Sequence, residues 1–243
     1  GVNDAERVGD DTLIAGTSVP PGAEPNCPNG CADNRVMLVE KDGRIEWQYG
    51  VFGVTGSGPN QLNTPVQATY LPNGHVLITD QGNQRVIEVN RLKKIVWQYG
   101  MTGVAGNGPG QLDSPNSAEL LDNGHVLIAD ENNNRAIEVD RAGNILQTFT
   151  AGGTLGACAF ASRLPNGDTL LTDAGNNRVQ VFKADGTFVK KWGAAGTGAP
   201  TGAPVDGARP ARRGGGTPPL RKSTARSETR RYNFLLAPPN DST

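Results

Sequence analysis

Histidine is almost missing from this chain: His75 and His125 are the only two among 243 residues. A metal site built from several imidazoles cannot be assembled from them alone, and no metal or other cofactor is expected. Cysteine is equally thin, with three residues, Cys27, Cys31 and Cys158. That excludes a disulfide-dense scaffold and a four-cysteine zinc site. Aromatic residues make up 5%, so Val, Ile and Leu must build any core. No apolar run approaches the roughly 18 residues that a membrane-crossing helix needs, so no membrane span is expected. Glycine is what abounds. Its 33 residues are about twice the ordinary share and favour many tight turns over long helices.

Charge is unevenly spread. The net charge is −1, yet residues 1–204 sum to −6 and residues 205–243 to +5. Such a split marks a separate C-terminal segment. Residues 196–243 are rich in Gly, Pro and Arg and lack strand alternation, which predicts a disordered tail. Nucleic-acid binding is not expected of it, because the basic charge is dilute and residues 205–243 contain one Tyr and one Phe. A chain that starts at Gly1 is expected to be processed or excised from something longer.

Self-similarity carries most of the information. Ile-Glu-Trp-Gln-Tyr-Gly at 45–50 returns as Ile-Val-Trp-Gln-Tyr-Gly at 95–100, and Asn-Gly-His-Val-Leu-Ile at 73–78 returns unchanged at 123–128. Asp80, Asn83 and Arg85 recur as Asp130, Asn133 and Arg135, then as Asp173, Asn176 and Arg178. Within the copy at 65–100, Val66–Leu71 reads as a first strand, closed by a Pro-Asn-Gly turn. Val76–Asp80 is an apolar second strand, Arg85–Asn90 an alternating third and Ile95–Tyr99 the outermost fourth. Four short antiparallel strands in each repeat describe a blade of an all-β propeller. Copies occupy about 1–50, 65–100, 115–150 and 158–193, so residues 1–195 form the propeller part. The first copy carries an inserted loop, Thr17–Ala32, which contains both close cysteines.

Leu-Pro-Asn-Gly-His-Val-Leu-Ile-Thr-Asp at 71–80, with Asn-Gln-Arg-Val-Ile-Glu-Val at 83–89 and their copies, resembles NHL-repeat propellers and their relatives, the propellers described as pyrroloquinoline-quinone-binding or arylsulfotransferase-like. The resemblance covers about residues 1–195. It implies roughly six blades in a closed ring. With four copies, the expectation is an open arc whose uncovered end faces favour self-association.

The Asp-x-x-Asn-x-Arg pattern spans a strand end, a turn and the next strand start. Three similar copies point to architecture, with the Asp accepting hydrogen bonds from the turn and holding the Arg. His75 and His125 hold equivalent places at the start of second strands. The arylsulfotransferase resemblance implies a catalytic histidine, whereas repetition at a strand start favours a structural one. The glycine-rich links Val51–Thr64 and Met101–Ser114 read as connectors whose rim could meet a ligand. First-strand residues Gln67, Asn116 and Ser162 are candidates to line the channel. Cys158 reads as a small buried apolar residue.

These readings favour a non-enzymatic binding or scaffold module that recognises a protein, glycan or small ligand through loops at the channel mouth. The rival is a propeller enzyme, either an arylsulfotransferase-like transferase or a metal-dependent lyase or hydrolase, of which this chain is a fragment. Cys27 and Cys31 bracket a turn sequence, so a disulfide is favoured over two free thiols, which suggests an extracellular or periplasmic setting. Peptide mapping without reductant is expected to find the Cys27–Cys31 peptide lighter by two hydrogens. Two alkylatable thiols in protein from an oxidising compartment would contradict this.

Overall fold

In a computed structural model, residues 1–193 are described. They form sixteen strands in four antiparallel sheets, each with its strands in sequence order. Blade one contains β1 (Val2–Val8), β2 (Asp11–Val19), β3 (Cys31–Val39) and β4 (Ile45–Tyr49). Blade two contains β5 (Pro65–Tyr70), β6 (Val76–Asp80), β7 (Arg85–Val89) and β8 (Ile95–Tyr99). Blade three contains β9 (Pro115–Leu120), β10 (Val126–Asp130), β11 (Arg135–Val139) and β12 (Ile145–Phe149). Blade four contains β13 (Cys158–Arg163), β14 (Thr169–Asp173), β15 (Arg178–Phe182) and β16 (Phe188–Gly193). The segment 196–243, expected to be disordered, lies outside the described residues.

Local chemistry explains the hairpins. In the first turn of blades two to four, the Asn side chain accepts the amide two residues on: Asn73 from His75 at 3.0 Å, Asn123 from His125 at 3.0 Å and Asn166 from Asp168 at 3.1 Å. This short loop mimics a backbone turn and reverses the chain within three residues. Gly100, at the end of β8, has φ +101°, and a Cβ there would lie 2.3 Å from the carbonyl oxygen of Gln84. Only glycine lets the outermost strand turn away so close to its neighbour.

Side chains alternate across each sheet, so every internal blade offers one apolar face to the blade before it and one to the blade after. Leu13, Val36, Trp47 and Tyr49 of blade one meet Ala68, Ile78, Ile87 and Val89 of blade two. Leu77, Val86 and Tyr99 meet Ala118, Ile128 and Ile137 across the next joint. Leu127, Ala136 and Phe149 meet Ala161, Leu171 and Phe182 across the third. The core is thus three slabs between sheets. Each buried aliphatic side chain contributes about 1.5–3 kcal/mol, and no blade can bury its faces without a neighbour. Among the described residues no such slab joins blade four to blade one.

Polar staples lock each connector over the blade it enters. Asp80, fully buried, accepts the Asn63 amide, Asn83 Nδ2 and Arg85 Nε, each at 2.8 Å. Asn83 also donates to the Gly56 carbonyl at 2.8 Å, deep in the connector. Asp130 is held the same way by Asp113, Asn133 and Arg135, and Asp173 by Gly156, Asn176 and Arg178. Blade one has Gly16 where the others have Asp, and Asp33 fills the gap. A Cβ at Gly16 would come within 2.7 Å of the Asp33 carboxylate, which pairs with Arg35 at 2.5 Å.

A second link crosses each joint. Asn34, Gln84 and Asn134 sit at φ 49°, 57° and 52° in equivalent turns. Their side-chain oxygens accept the amides of Thr64, Ser114 and Ala157, at 3.0, 2.6 and 2.7 Å, just before the next blade begins. In blade one the extra loop rises from a prolonged β2–β3 hairpin, with Val19 paired to Cys31, and is closed by a Cys27–Cys31 disulfide with Cα atoms 5.9 Å apart.

Replacing Asp80 with Ala is expected to cost about 3 kcal/mol, because it leaves Arg85 buried without its carboxylate. Thermal melting should fall by roughly 10 °C. A change below about 2 °C would show that the staple contributes little.

Candidate functional site

The first strands of successive blades lie side by side, β1 by β5, β5 by β9 and β9 by β13, and so form the inner wall. Most of their polar side chains hold the wall together. Asp4 accepts the Ala68 amide at 3.2 Å, Gln67 that of Ala118 at 2.6 Å and Ser117 that of Ala161 at 3.0 Å. One register further, Glu6 accepts the Tyr70 amide and Glu119 that of Arg163, both at 2.9 Å. Of the three first-strand candidates, Gln67 therefore serves as a bracket between blades. Asn116 lies one residue out of step with it and points elsewhere, and Ser162 stands at the Glu119 position. The pleat turns Asn116 away from the other two, because neighbouring residues of a strand face opposite ways, while Ser162 shares the Gln67 face two residues further along its strand.

Asn116 instead marks a place where one blade departs from the repeat. At the connector end of blade three, Asn116 Nδ2 donates to Glu131 at 2.7 Å. Beside them Asn132 donates to Asp113 at 3.1 Å and to Ser114 at 3.0 Å. The equivalents of Asn116 and Glu131 are Val66 and Gln81 in blade two, and Ala159 and Ala174 in blade four. All five polar residues are half-buried or exposed. Two carboxylate–amide pairs thus face solvent at the mouth. Asp113, Glu131 and Asn132 were not singled out in the sequence, although the departure is visible once the copies are aligned.

The histidines lie at the opposite end and are similarly committed. His75 Nδ1 is 2.6 Å from Glu88 Oε1, and the other carboxylate oxygen accepts from Arg141 of blade three. His125 Nδ1 is 2.7 Å from Glu138, which also takes Arg163 of blade four at 2.5 Å. Arg141 in turn stacks over Trp97, 4.6 Å from the ring centre, while the Trp97 indole donates to the Arg141 carbonyl at 3.1 Å. Each His–Glu–Arg set therefore clasps two blades. Burial pushes the Glu88 carboxyl up, but His75, Arg141 and Asn73 together outweigh it and hold it below its ordinary value. Glu138 is lowered in the same way, with His125, Asn123 and Arg163 outweighing burial. Burial wins at Asp80 and Asp130, which are raised despite their donors.

Cys158 is buried, and burial followed by the nearby Asp173 charge pushes its thiol up to about 12, which leaves no thiolate for nucleophilic chemistry near neutral pH. Among the described residues no cluster of three His, Cys, Asp or Glu is placed to hold a metal ion.

No protein-family model matches the chain, and no curated protein matches it. Solved structures do. A streptogramin B lyase structure superposes with a TM-score of 0.57 at 13% identity, over 80% of this chain and 55% of that one. A catalytically inactive virginiamycin B lyase from Staphylococcus aureus with quinupristin gives 0.54 at 13%, over 81% and 57%. A protein of unknown function from Bacteroides caccae gives 0.52 at 16%, over 78% and 66%. The chain is a β-propeller chain. It spans little more than half the length of the two lyases, and at these identities the likeness is one of fold. It does not single out the NHL or arylsulfotransferase-like kind.

Because Glu88 and Glu138 ionise more readily in the fold, their pairs stabilise it above the ordinary carboxyl pKa of 4.5 and are lost as pH falls through their lowered values. Glu88→Gln is expected to lower the melting temperature by about 2–4 °C at neutral pH, roughly 1 kcal/mol for a partly screened pair. The gap to wild type should close below pH 4.5. A pH-independent gap would show that the loss comes from packing.

Proposed function

We propose that the blades act as a non-catalytic recognition module which binds a hydroxyl-rich ligand, a glycan or a small polar molecule, at the connector end of blade three. The observation that carries this reading is the pair of carboxylate–amide couples, Asn116–Glu131 and Asn132–Asp113, found in one blade only. Residues that recur in every copy build blades. A polar group confined to one copy has no such duty, and it stands half-exposed at the mouth. A carboxylate beside an amide accepts from and donates to a hydroxyl at once, and rigid staples beneath the rim reduce the entropy lost on binding. The two histidines, Gln67 and Cys158 are already engaged or buried, which leaves them poorly suited to reaction chemistry. The disulfide fits an oxidising compartment outside the cytoplasm.

The rival reading is an enzyme. It is favoured by the fold likeness to streptogramin B lyase and to virginiamycin B lyase, and it would need groups from a larger ring.

Glycan-array screening followed by calorimetry on the full chain tests both. The expected result is at least one glycan hit whose affinity falls roughly 10- to 100-fold in an Asn116→Ala, Glu131→Ala double variant, the loss of one charge-assisted and one neutral hydrogen bond. Its melting temperature should stay within about 2 °C of wild type. No selective binding, or equal binding by the variant, would overturn the reading. Conversion of quinupristin to a new product, followed by mass spectrometry, would favour the enzyme instead.

A further inference from the structure

Both end faces of the described blades carry apolar side chains at the positions that form the three internal joints. On blade four, Leu170, Val179 and Trp192 stand where Leu13, Val36 and Tyr49 stand in blade one, and where Leu77, Val86 and Tyr99 stand in blade two. Those internal equivalents are all at most 3% exposed, whereas Trp192 is 41% exposed and Leu170 and Val179 are only half-buried. Asn177, at φ 51°, repeats the left-handed turn of Asn34, Gln84 and Asn134. Each of those three caps the amide that leads into the next blade. Among the described residues Asn177 caps none and is exposed.

The opposite face of blade one is the complement. Ala5, Ile14, Met37 and Val39 occupy the positions of Ala68, Ile78, Ile87 and Val89, which receive blade one's own apolar face inside the fold. Ala5 is exposed, and the other three are half-buried.

We infer that a second copy of this chain is the occupant: blade four of one copy docks on blade one of the other, head to tail, by repeating the internal joint. Two copies joined in this way at both ends would bring eight blades together, within the roughly four to eight that closed propellers use. The order of the faces decides the geometry. A receiving face is followed by three joints and then a donating face, so like faces do not match and only a head-to-tail contact satisfies both. Trp192 takes the place of Tyr49 and Tyr99, Met37 that of Ile87, and the inner-wall contacts also differ from the template. Phe160, 40% exposed, replaces the acceptor that Asp4, Gln67 and Ser117 provide. The joint therefore closes by apolar burial at that point, while Ser162 keeps a hydroxyl at the position of Glu6 and Glu119. The segment 194–243 supplies few apolar side chains to compete for the face.

Native mass spectrometry and light scattering on the full 243-residue chain at micromolar concentration test the inference. A dimer is expected. Val179→Arg on the donating face and Ile14→Arg on the receiving face should each weaken it at least about 100-fold. Far-ultraviolet circular dichroism and melting of each variant confirm that its strands persist. An equimolar mixture of the two single variants keeps one sound joint, Val39-side of the first against Trp192-side of the second, and should recover a heterodimer. Circular dichroism with milder Val179→Thr and Ile14→Thr variants serves if an Arg variant fails to fold, with the same order of effects expected. A monomeric wild type, a dimer indifferent to both substitutions, or a mixture that stays monomeric would each overturn the head-to-tail arrangement.

Discussion

A buried carboxylate with three or more donors around it sets where one blade ends and the next may begin. Asp80, Asp130 and Asp173 each sit at the end of a second strand and reach both forward, to an Asn and an Arg of the following turn, and backward, to an amide of the connector. Ionic groups so placed are costly to bury; their hydrogen bonds recover part of that cost at Asp80 and Asp130, where burial still raises the carboxyl, and outweigh it at Asp173, which is lowered. That cost explains why the three residue types travel together through the repeat. It also explains blade one, where loss of the Asp at Gly16 is matched by Asp33 entering the same space from the neighbouring strand. The carboxylate–arginine pair is kept while the carboxylate moves by one strand.

Short-range order was legible and long-range partnership was not. Asn-Gly turns, the continuous apolar second strands and the Trp-Gln-Tyr-Gly outer strands are local signals, and the strands lie within a residue of where those signals put them. The architectural role of Asp80, Asn83 and Arg85 was readable because all three lie within six residues. Arg141 could not be assigned to Glu88, because 53 positions separate them and the pairing exists only once two sheets stack. The caps Asn34, Gln84 and Asn134 escaped notice for a different reason. Asn and Gln alternate there, so the shared feature is a left-handed turn with an amide oxygen, not a residue type. At the inner wall, a register shift near the start of β5, between Pro65 and Gln67, sets which side chains face the next blade. The same offset recurs in β9 between Pro115 and Ser117, so Gln67 matches Ser117, and Asn116 matches Val66 on the opposite face.

Repetition also sorts duty from opportunity. Where two or more copies agree, the side chains are spent on holding blades: the His–Glu–Arg clasps of blades two and three, the carboxylate staples of blades two to four and the inner-wall brackets of blades one to three use most of the polar groups that a reader would first suspect of chemistry. What one blade alone possesses, such as Asn116 with Glu131, is free of that burden. Fold likeness to lyases adds a scaffold that can carry catalysis without saying that this one does.

The staple has a consequence for how such a chain can grow. Asp80 and the Asn63 and Gly56 groups it organises fall within one 50-residue period, so a copied segment from Val51 to Gly100 carries both the clamp and the loop that it clamps. A duplication break placed after the outermost strand delivers a self-sufficient part. A break between β5 and β6 would part Asp80 from Asn63 and leave the buried carboxylate short of a donor. Blade number is therefore free to change by whole connector-plus-blade units, with the seam at Gly50 or Gly100, while half-blade insertions are penalised from the outset.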